Sequence, residues 1–177
     1  MPWYFAYGSN MQTATLSGRR GVEYRRALPA RVPGWRLVLD KPPLLSSRSG
    51  FANIIADPQM AVLGVLYELS VDGLEHVELT EGVLIGNYAA VDVQAWPLAG
   101  DAPVLARSLS ANARDASLRP SLRYMRLLIE GALEHGLPAD YVDSLRAIPT
   151  LEEDDTERAT RTLIDAGLRA IRPRRSE

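Results

Sequence analysis

The chain has no cysteine, one lysine and two histidines in 177 residues. Without cysteine there are no disulfides, no thiolate nucleophiles and no cysteine-ligated metals. Lys41 is the only lysine, which leaves almost no material for Schiff-base chemistry, since that needs a desolvated lysine amine. His76 and His135 are very little from which to build a Ser-His-Asp triad or a histidine-rich metal site. No apolar run approaches the ~20 residues that span a bilayer, and no basic segment followed by an apolar one is visible at the start. The formal net charge of −2 gives no concentrated basic face for nucleic acid. The expectation is a cytoplasmic protein without nucleic-acid or membrane partners.

What is present describes a folded domain. A hydrophobic fraction of 46% and a charged fraction of 24% are those of a soluble globular protein, and the length suits one domain with a real core. The expected organisation is a single domain over residues 1–177, with 172–177 a flexible tail.

The first two thirds read as strands. Trp3 to Tyr7 is followed by a short helical turn for which Asn10 is a candidate cap. Val22 to Arg31 and Trp35 to Leu39 are separated by Pro33-Gly34, a turn signal. Residues 41–50 read as loop. Ala52 to Ala56 and Val62 to Leu69 are short apolar runs separated at Asp57-Pro58. Asp72 to Leu79 reads as two helical turns with Leu74, Val77 and Leu79 inward. Tyr88 to Trp96 and Pro103 to Leu109 are expected to pair across Gly100-Asp101.

The last third switches to helical period. Leu122, Met125, Ile129, Ala132 and Leu133 fall on one face at spacings of three and four. Gly136 closes that helix and Pro138 opens the next, over Asp140 to Ala147. A final helix is expected from Thr156 to Ile171, after the acidic group 152–155. Strands first and helices last make the expected fold class α+β: a small mixed β-barrel, with helices packed outside and a C-terminal helical segment.

Two features carry chemistry. Tyr7-Gly8-Ser9-Asn10 ends the first strand in a tight turn whose successive backbone N–H groups suit a carboxylate or an oxyanion. Glu81 stands before Gly82 on a loop at the mouth of the sheet, a usual place for an acid–base group. Taken alone, Glu81 reads as a solvated glutamate. His76-Val77-Glu78 mimics a deaminase His-x-Glu, but without the cysteine pair it reads as helix surface. Ser9 lacks the flanking glycines of a nucleophile elbow. Asn53 reads as an inward polar group or a satisfied core amide.

Tyr7-Gly8-Ser9-Asn10, then Glu81-Gly82-Val83 and Gly86-Asn87-Tyr88, together resemble the gamma-glutamylcyclotransferase family. Gly50-Phe51-Ala52-Asn53-Ile54, Val62 to Tyr67, Pro120 to Tyr124 and Gly136 to Tyr141 agree with that family in the same order, over roughly residues 3 to 148. The resemblance implies a small barrel with a cavity at its mouth. It implies Glu81 as the catalytic acid–base, and Tyr7, Gly8, Ser9, Asn10 and Met11 as the substrate-binding loop, with the Tyr7 hydroxyl toward ligand. Tyr88 is placed near the cavity, and Tyr124 in the cavity or in helix packing. The implied reaction releases 5-oxoproline from gamma-glutamyl compounds, by attack of the substrate α-amine on its own γ-carbonyl. It calls for no cofactor and no metal. Asn10 after Tyr-Gly-Ser points away from the glutathione-specific relatives. Leu109, where some relatives carry tyrosine, makes the wall opposite Glu81 more apolar. The expected partner is a small gamma-glutamyl substrate; a homodimer is allowed by the sequence and not fixed by it. The alternatives are a specialised cyclotransferase acting on a larger amine, and a non-catalytic member that binds a small ligand.

Overall fold

Five strands close into a barrel in the order β1-β3-β2-β4-β5: β1 (Trp3–Ala6), β2 (Tyr24–Lys41), β3 (Phe51–Leu69), β4 (Ala89–Pro97) and β5 (Val104–Ser110). The computed structural model describes residues 1–45, 48–100, 102–153 and 155–171. The barrel closes where β1 lies parallel to β5, Tyr4 opposite Arg107; the other neighbours are antiparallel. Phe5, Leu66, Tyr67, Ile54 and Val65 are fully buried; Val65, Leu66 and Tyr67 are consecutive, so both faces of that part of β3 are covered.

Two expected breaks are bridged. β2 runs through Pro33-Gly34 and β3 through Asp57-Pro58. The two interruptions face each other: Pro33 pairs with Ala61 and Trp35 with Ala56, with a register shift between them. Gly34, at φ +80°, supplies the left-handed residue of a bulge, so the punctuation bends a long hairpin and does not end its strands. Pro33 is tolerated because β4 pairs with β2 at Ala30 and Arg31, leaving that side of the later residues without a ladder. β4 and β5 pair as expected, Ala89 with Ser110 through Ala95 with Val104.

Among the described residues four α-helices pack outside: α1 (Val71–Thr80), α2 (Leu122–Glu134), α3 (Ala139–Arg146) and α4 (Asp155–Ala170). Ser70 and Ser121 cap α1 and α2 by accepting the N–H groups of Gly73 and Tyr124. In α1 Val77 is buried, but Leu79 is exposed. In α2 the buried stripe is Tyr124, Met125, Leu128, Gly131 and Ala132. Leu133, expected inward, is exposed because it falls off a stripe centred on positions 124, 128 and 131. Gly136, at φ +67°, ends α2.

The chain after β1 forms a 3-10 turn, Ser9–Met11, followed by a π-helical turn, Ala14–Arg19, that the sequence did not announce. Gly8 sits at the N-cap of the first turn and Asn10 lies inside it, so Asn10 does not cap. Among the described residues no helix is long and apolar enough to cross a membrane. The expected tail 172–177, Ser46 and Ser47 of the loop, Asp101 of the β4–β5 turn and Asp154 of the acidic group lie outside the described residues.

Candidate active site

Asn10 is buried, and its side chain is the hub of the site. Nδ2 donates to Glu81 Oε1 at 2.8 Å and to the Tyr4 hydroxyl at 3.0 Å. Oδ1 accepts from Arg20 Nε at 2.8 Å, and Arg20 Nη2 lies 2.7 Å from Glu81 Oε1. The donors fix the amide's orientation: turned over, Nδ2 would face the guanidinium. Glu81 Oε1 is thus clamped by a neutral and a charged donor, while Oε2 makes no hydrogen bond among the described residues.

Local structure sets each member of this group. Glu81 ends α1, with its N–H on the Val77 carbonyl at 2.9 Å. Its own carbonyl accepts from Asn87 Nδ2 at 2.7 Å. Gly82 and Gly86, at φ +75° and +73°, form the turn that brings Asn87 back. Arg20 follows the π-helical turn, and its carbonyl accepts from His76 Nε2 at 2.9 Å. His76, read as helix surface, ties α1 to the segment that delivers Arg20. Arg20 Nη1 is buried without a partner among the described residues.

Glu81 looks into a cavity of about 220 Å³, walled by Tyr4, Tyr7, Gly8, Ser9 and Asn10 on one side and by Lys41, Ala52, Tyr88, Leu109 and Tyr124 on others. Helix α4 lines the outer end with Thr160, Arg161 and Ile164. It is held there by the Arg19–Asp165 pair and by Glu157, which accepts from Ser49 Oγ at 2.5 Å and from the Arg48 N–H at 3.2 Å.

Ala52 lies where the β2–β3 register slips, between Val38–Asn53 and Lys41–Phe51. Two tyrosines satisfy its backbone: its N–H donates to the Tyr124 hydroxyl at 3.1 Å, and its carbonyl accepts from the Tyr88 hydroxyl at 2.8 Å. Tyr124 also meets the Ser9 hydroxyl and amide. The Tyr7 hydroxyl donates to the Leu109 carbonyl at 2.6 Å and meets Ile54 backbone, so its ring lines the cavity while its hydroxyl is engaged with the barrel, away from the expected ligand contact. Burial, the largest cause in each case, raises Tyr4, Tyr7 and Tyr88 well above the ordinary phenol range and pushes Tyr124 up to about 12. These hydroxyls stay protonated at neutral pH and are hydrogen-bonding groups, not phenolate bases. The other lining carboxylates are occupied: Glu153 pairs with Arg161, and Glu157 holds residues 48 and 49.

Of the residues expected at the site, Glu81, Tyr7, Gly8, Ser9, Asn10, Tyr88 and Tyr124 all line this cavity. Met11 does not. It is fully buried, its carbonyl accepts from Tyr67, and its backbone packs against Gly131; the 3-10 turn points successive side chains in different directions. Asn53 is a satisfied core amide, bonded to both backbone groups of Ala111. Sequence reasoning missed Tyr4, Arg20 and Lys41. The Tyr4 signal was its place on the strand that leads into the turn, four residues before Gly8. Arg19-Arg20 offered a nearby cation, but not which of the two turns inward.

Comparisons with known proteins agree with this fold. Residues 61–145 match the model of the AIG2-like family. The chain is 30% identical to human gamma-glutamylcyclotransferase over 148 residues, covering 82% of this chain and 77% of that protein. The chain belongs to the gamma-glutamylcyclotransferase family. It is similar too to the gamma-glutamyl cyclotransferase aclK of Aspergillus oryzae, 29% identical over 166 residues, covering 81% of this chain and 60% of that one. A solved structure of a gamma-glutamyl cyclotransferase superimposes with a TM-score of 0.78 at 26% identity, covering 94% of this chain and 99% of that one. As a gamma-glutamylcyclotransferase family member the chain is an enzyme with a cyclotransferase fold.

Proposed function

We propose that the protein releases 5-oxoproline from a gamma-glutamyl amide, with Glu81 moving the protons. The observation that supports this most is the one-sided clamp on Glu81: Oε1 held by Arg20 and Asn10, Oε2 left for a substrate in the cavity. The substrate's α-ammonium must lose a proton before its nitrogen can attack. Glu81 takes that proton, the α-nitrogen forms a bond to the γ-carbon, and a tetrahedral oxyanion results. The bond from that carbon to the leaving nitrogen then breaks as Glu81 passes that proton to the leaving nitrogen, and Glu81 carries a second proton from the ring nitrogen to the departing amine in the same way. The α-ammonium gives up two protons in becoming a lactam N–H, and the departing amine gains two in becoming an ammonium, so nothing is drawn from or lost to solvent.

The nucleophile belongs to the substrate, which is why a chain without cysteine suits the reaction. Ring closure is intramolecular, and holding the glutamyl chain folded is worth effective molarities of ~10⁵ M or more. Proton transfer by a positioned carboxylate adds ~10²–10⁴. The Ser9 N–H meets the Tyr124 hydroxyl, whereas those of Gly8 and Asn10 stay outside the first bond of the 3-10 turn, which runs from Met11 N–H to the Gly8 carbonyl. The latter two are the oxyanion and substrate donors in this reading.

Incubation of the purified protein with a panel of gamma-glutamyl dipeptides and gamma-glutamylamines, read by 5-oxoproline formation, tests the proposal. Product from at least one panel member is expected. No product from any of them, with small-molecule binding still detectable, makes the protein a binding member of the fold instead.

A further inference from the structure

The only lysine of the chain lies in this cavity. Lys41 ends β2 beside the register slip and is 4% exposed. Its ammonium donates to the Pro42 carbonyl at 2.7 Å and stands 4.9 Å from the centre of the Tyr88 ring. An ammonium has three donors, and among the described residues no carboxylate lies within ion-pair distance of this one. Glu81 is the one acid whose charge reaches it, and that acid is already paired with Arg20. The Tyr88 face offsets part of the desolvation, but a buried charge without a counter-ion remains costly. The inner end of the cavity therefore holds one positive charge more than it has anions.

The outer end differs. Three arginines, Arg19, Arg123 and Arg161, stand there with three carboxylates, Glu153, Glu157 and Asp165, so cations and acids are equal in number. The two ends thus offer different surroundings to the two ends of a substrate. The glutamyl group must place its α-amine at Glu81, and its α-carboxylate sits on the same carbon as that amine. The group departing with the leaving nitrogen must extend toward α4.

The geometry points to Lys41 as the residue that receives the α-carboxylate of the glutamyl group, an assignment that rests on the cyclotransferase reading above. The two unused donors of the ammonium meet the carboxylate, while Glu81 Oε2 meets the amine on the same carbon. Charge alone then sets the orientation: the substrate ammonium is repelled by Lys41 and drawn to Glu81, and the carboxylate the reverse. Lys41 would be a substrate-binding residue that selects compounds with a free α-carboxylate.

The test uses Lys41→Met and Lys41→Arg in the full chain, with thermal unfolding as a check on folding. Two substrates are compared, a gamma-glutamyl dipeptide and gamma-glutamyl methylamide, which differ in whether the leaving group carries a carboxylate. Lys41→Met is expected to raise KM about tenfold to a hundredfold for both, the loss of a charge-assisted pair, with kcat within about threefold; Lys41→Arg is expected to recover part of the loss. An unchanged KM overturns the assignment. A rise confined to the dipeptide also overturns it, because Lys41 would then read the leaving group. Binding of 5-oxoproline and of 2-pyrrolidinone, its analogue without the carboxylate, is measured by calorimetry in parallel. Lys41→Met is expected to weaken 5-oxoproline alone; equal weakening of both means general damage to the cavity and overturns the assignment. If the wild-type protein turns over no substrate, the cyclotransferase reading fails by itself, and the 5-oxoproline and 2-pyrrolidinone pair still decides whether Lys41 reads a carboxylate.

Discussion

Arg20 holds Glu81 by one oxygen. Nη2 lies 2.7 Å from Oε1, and the same guanidinium reaches Asn10 Oδ1 through Nε at 2.8 Å. A carboxylate fixed at one oxygen keeps its position and still has a second oxygen with which to exchange a proton. The clamp thus orients the group without occupying it.

Removing that clamp is the first test. Arg20→Met leaves Glu81 without its cation and Asn10 Oδ1 without its donor. Loss of a buried pair's partner costs about 3–5 kcal/mol; Glu81 faces the cavity and can be hydrated, so about 2–3 kcal/mol of stability is expected to be lost. Turnover is expected to fall about 100-fold, the scale of a 1 Å misplacement. Arg20→Lys should recover only part of both, because one ammonium does not reproduce a fork that serves two acceptors. Chemical denaturation and 5-oxoproline kinetics measure the two effects separately.

The braces on Ala52 are the second. Tyr88→Phe strips the Ala52 carbonyl of its donor, and Tyr124→Phe strips the Ala52 N–H of its acceptor. Each is expected to cost about 1–3 kcal/mol. The double variant is expected to cost less than the sum, since both hold one peptide segment at one register slip. Additive losses in urea unfolding would mean that the two hydroxyls act independently.

Two glycines give opposite signs. A Cβ on Gly131 would lie 2.6 Å from Gln12 N and 2.7 Å from the Met11 carbonyl carbon, so α2 and the 9–11 turn have to part. Gly131→Ala is expected to destabilise by about 1–3 kcal/mol through overpacking and to lower activity by displacing the Ser9–Asn10 loop. Gly167 in α4 has open space around it. There alanine is expected to stabilise by about 1 kcal/mol through helix propensity, raising Tm by about 2–4 °C, without changing turnover.

His135 gives stability a pH dependence of known sign. Burial lowers its folded value below the ordinary 6.5, against the opposing effects of Glu134 and the Met11 backbone, and its Nε2 lies 2.9 Å from the Tyr67 hydroxyl. Below about 6.5 the unfolded chain takes up the proton first, so stability rises with pH through that window. Its contribution is complete above 6.5 and is lost as pH falls through the folded value. Urea midpoints at pH 7.5, 6.5 and 5.5 are expected to fall more steeply for the wild type than for His135→Gln.

Much of the architecture was legible because the periodic signals are local. The change from short apolar runs to helical period at Leu122, the Gly136 stop and the paired β4 and β5 runs each follow from neighbours within a few residues. The long β2–β3 hairpin was not legible. Pro33-Gly34 and Asp57-Pro58 read as turns in isolation, and only their juxtaposition across the pair makes them matching bulges. At the site, Glu81 and the Tyr7–Asn10 loop were recognisable as two halves. Arg20 was not, since whether Arg19 or Arg20 turns inward depends on the π-helical turn; Arg19 goes to Asp165 on α4 and Arg20 to Glu81. Met11 was misread because a motif names consecutive residues, whereas a 3-10 turn sends the third of them into the core.

The most direct test of the account is the turnover of Glu81→Gln, which keeps the size and most of the hydrogen bonds of the side chain but cannot accept the proton. With a substrate that the wild type converts, 5-oxoproline formation is expected to fall by at least ~10², with folding retained as judged by thermal unfolding and substrate still bound. Turnover by the variant at the wild-type rate would contradict the assignment of proton transfer to Glu81.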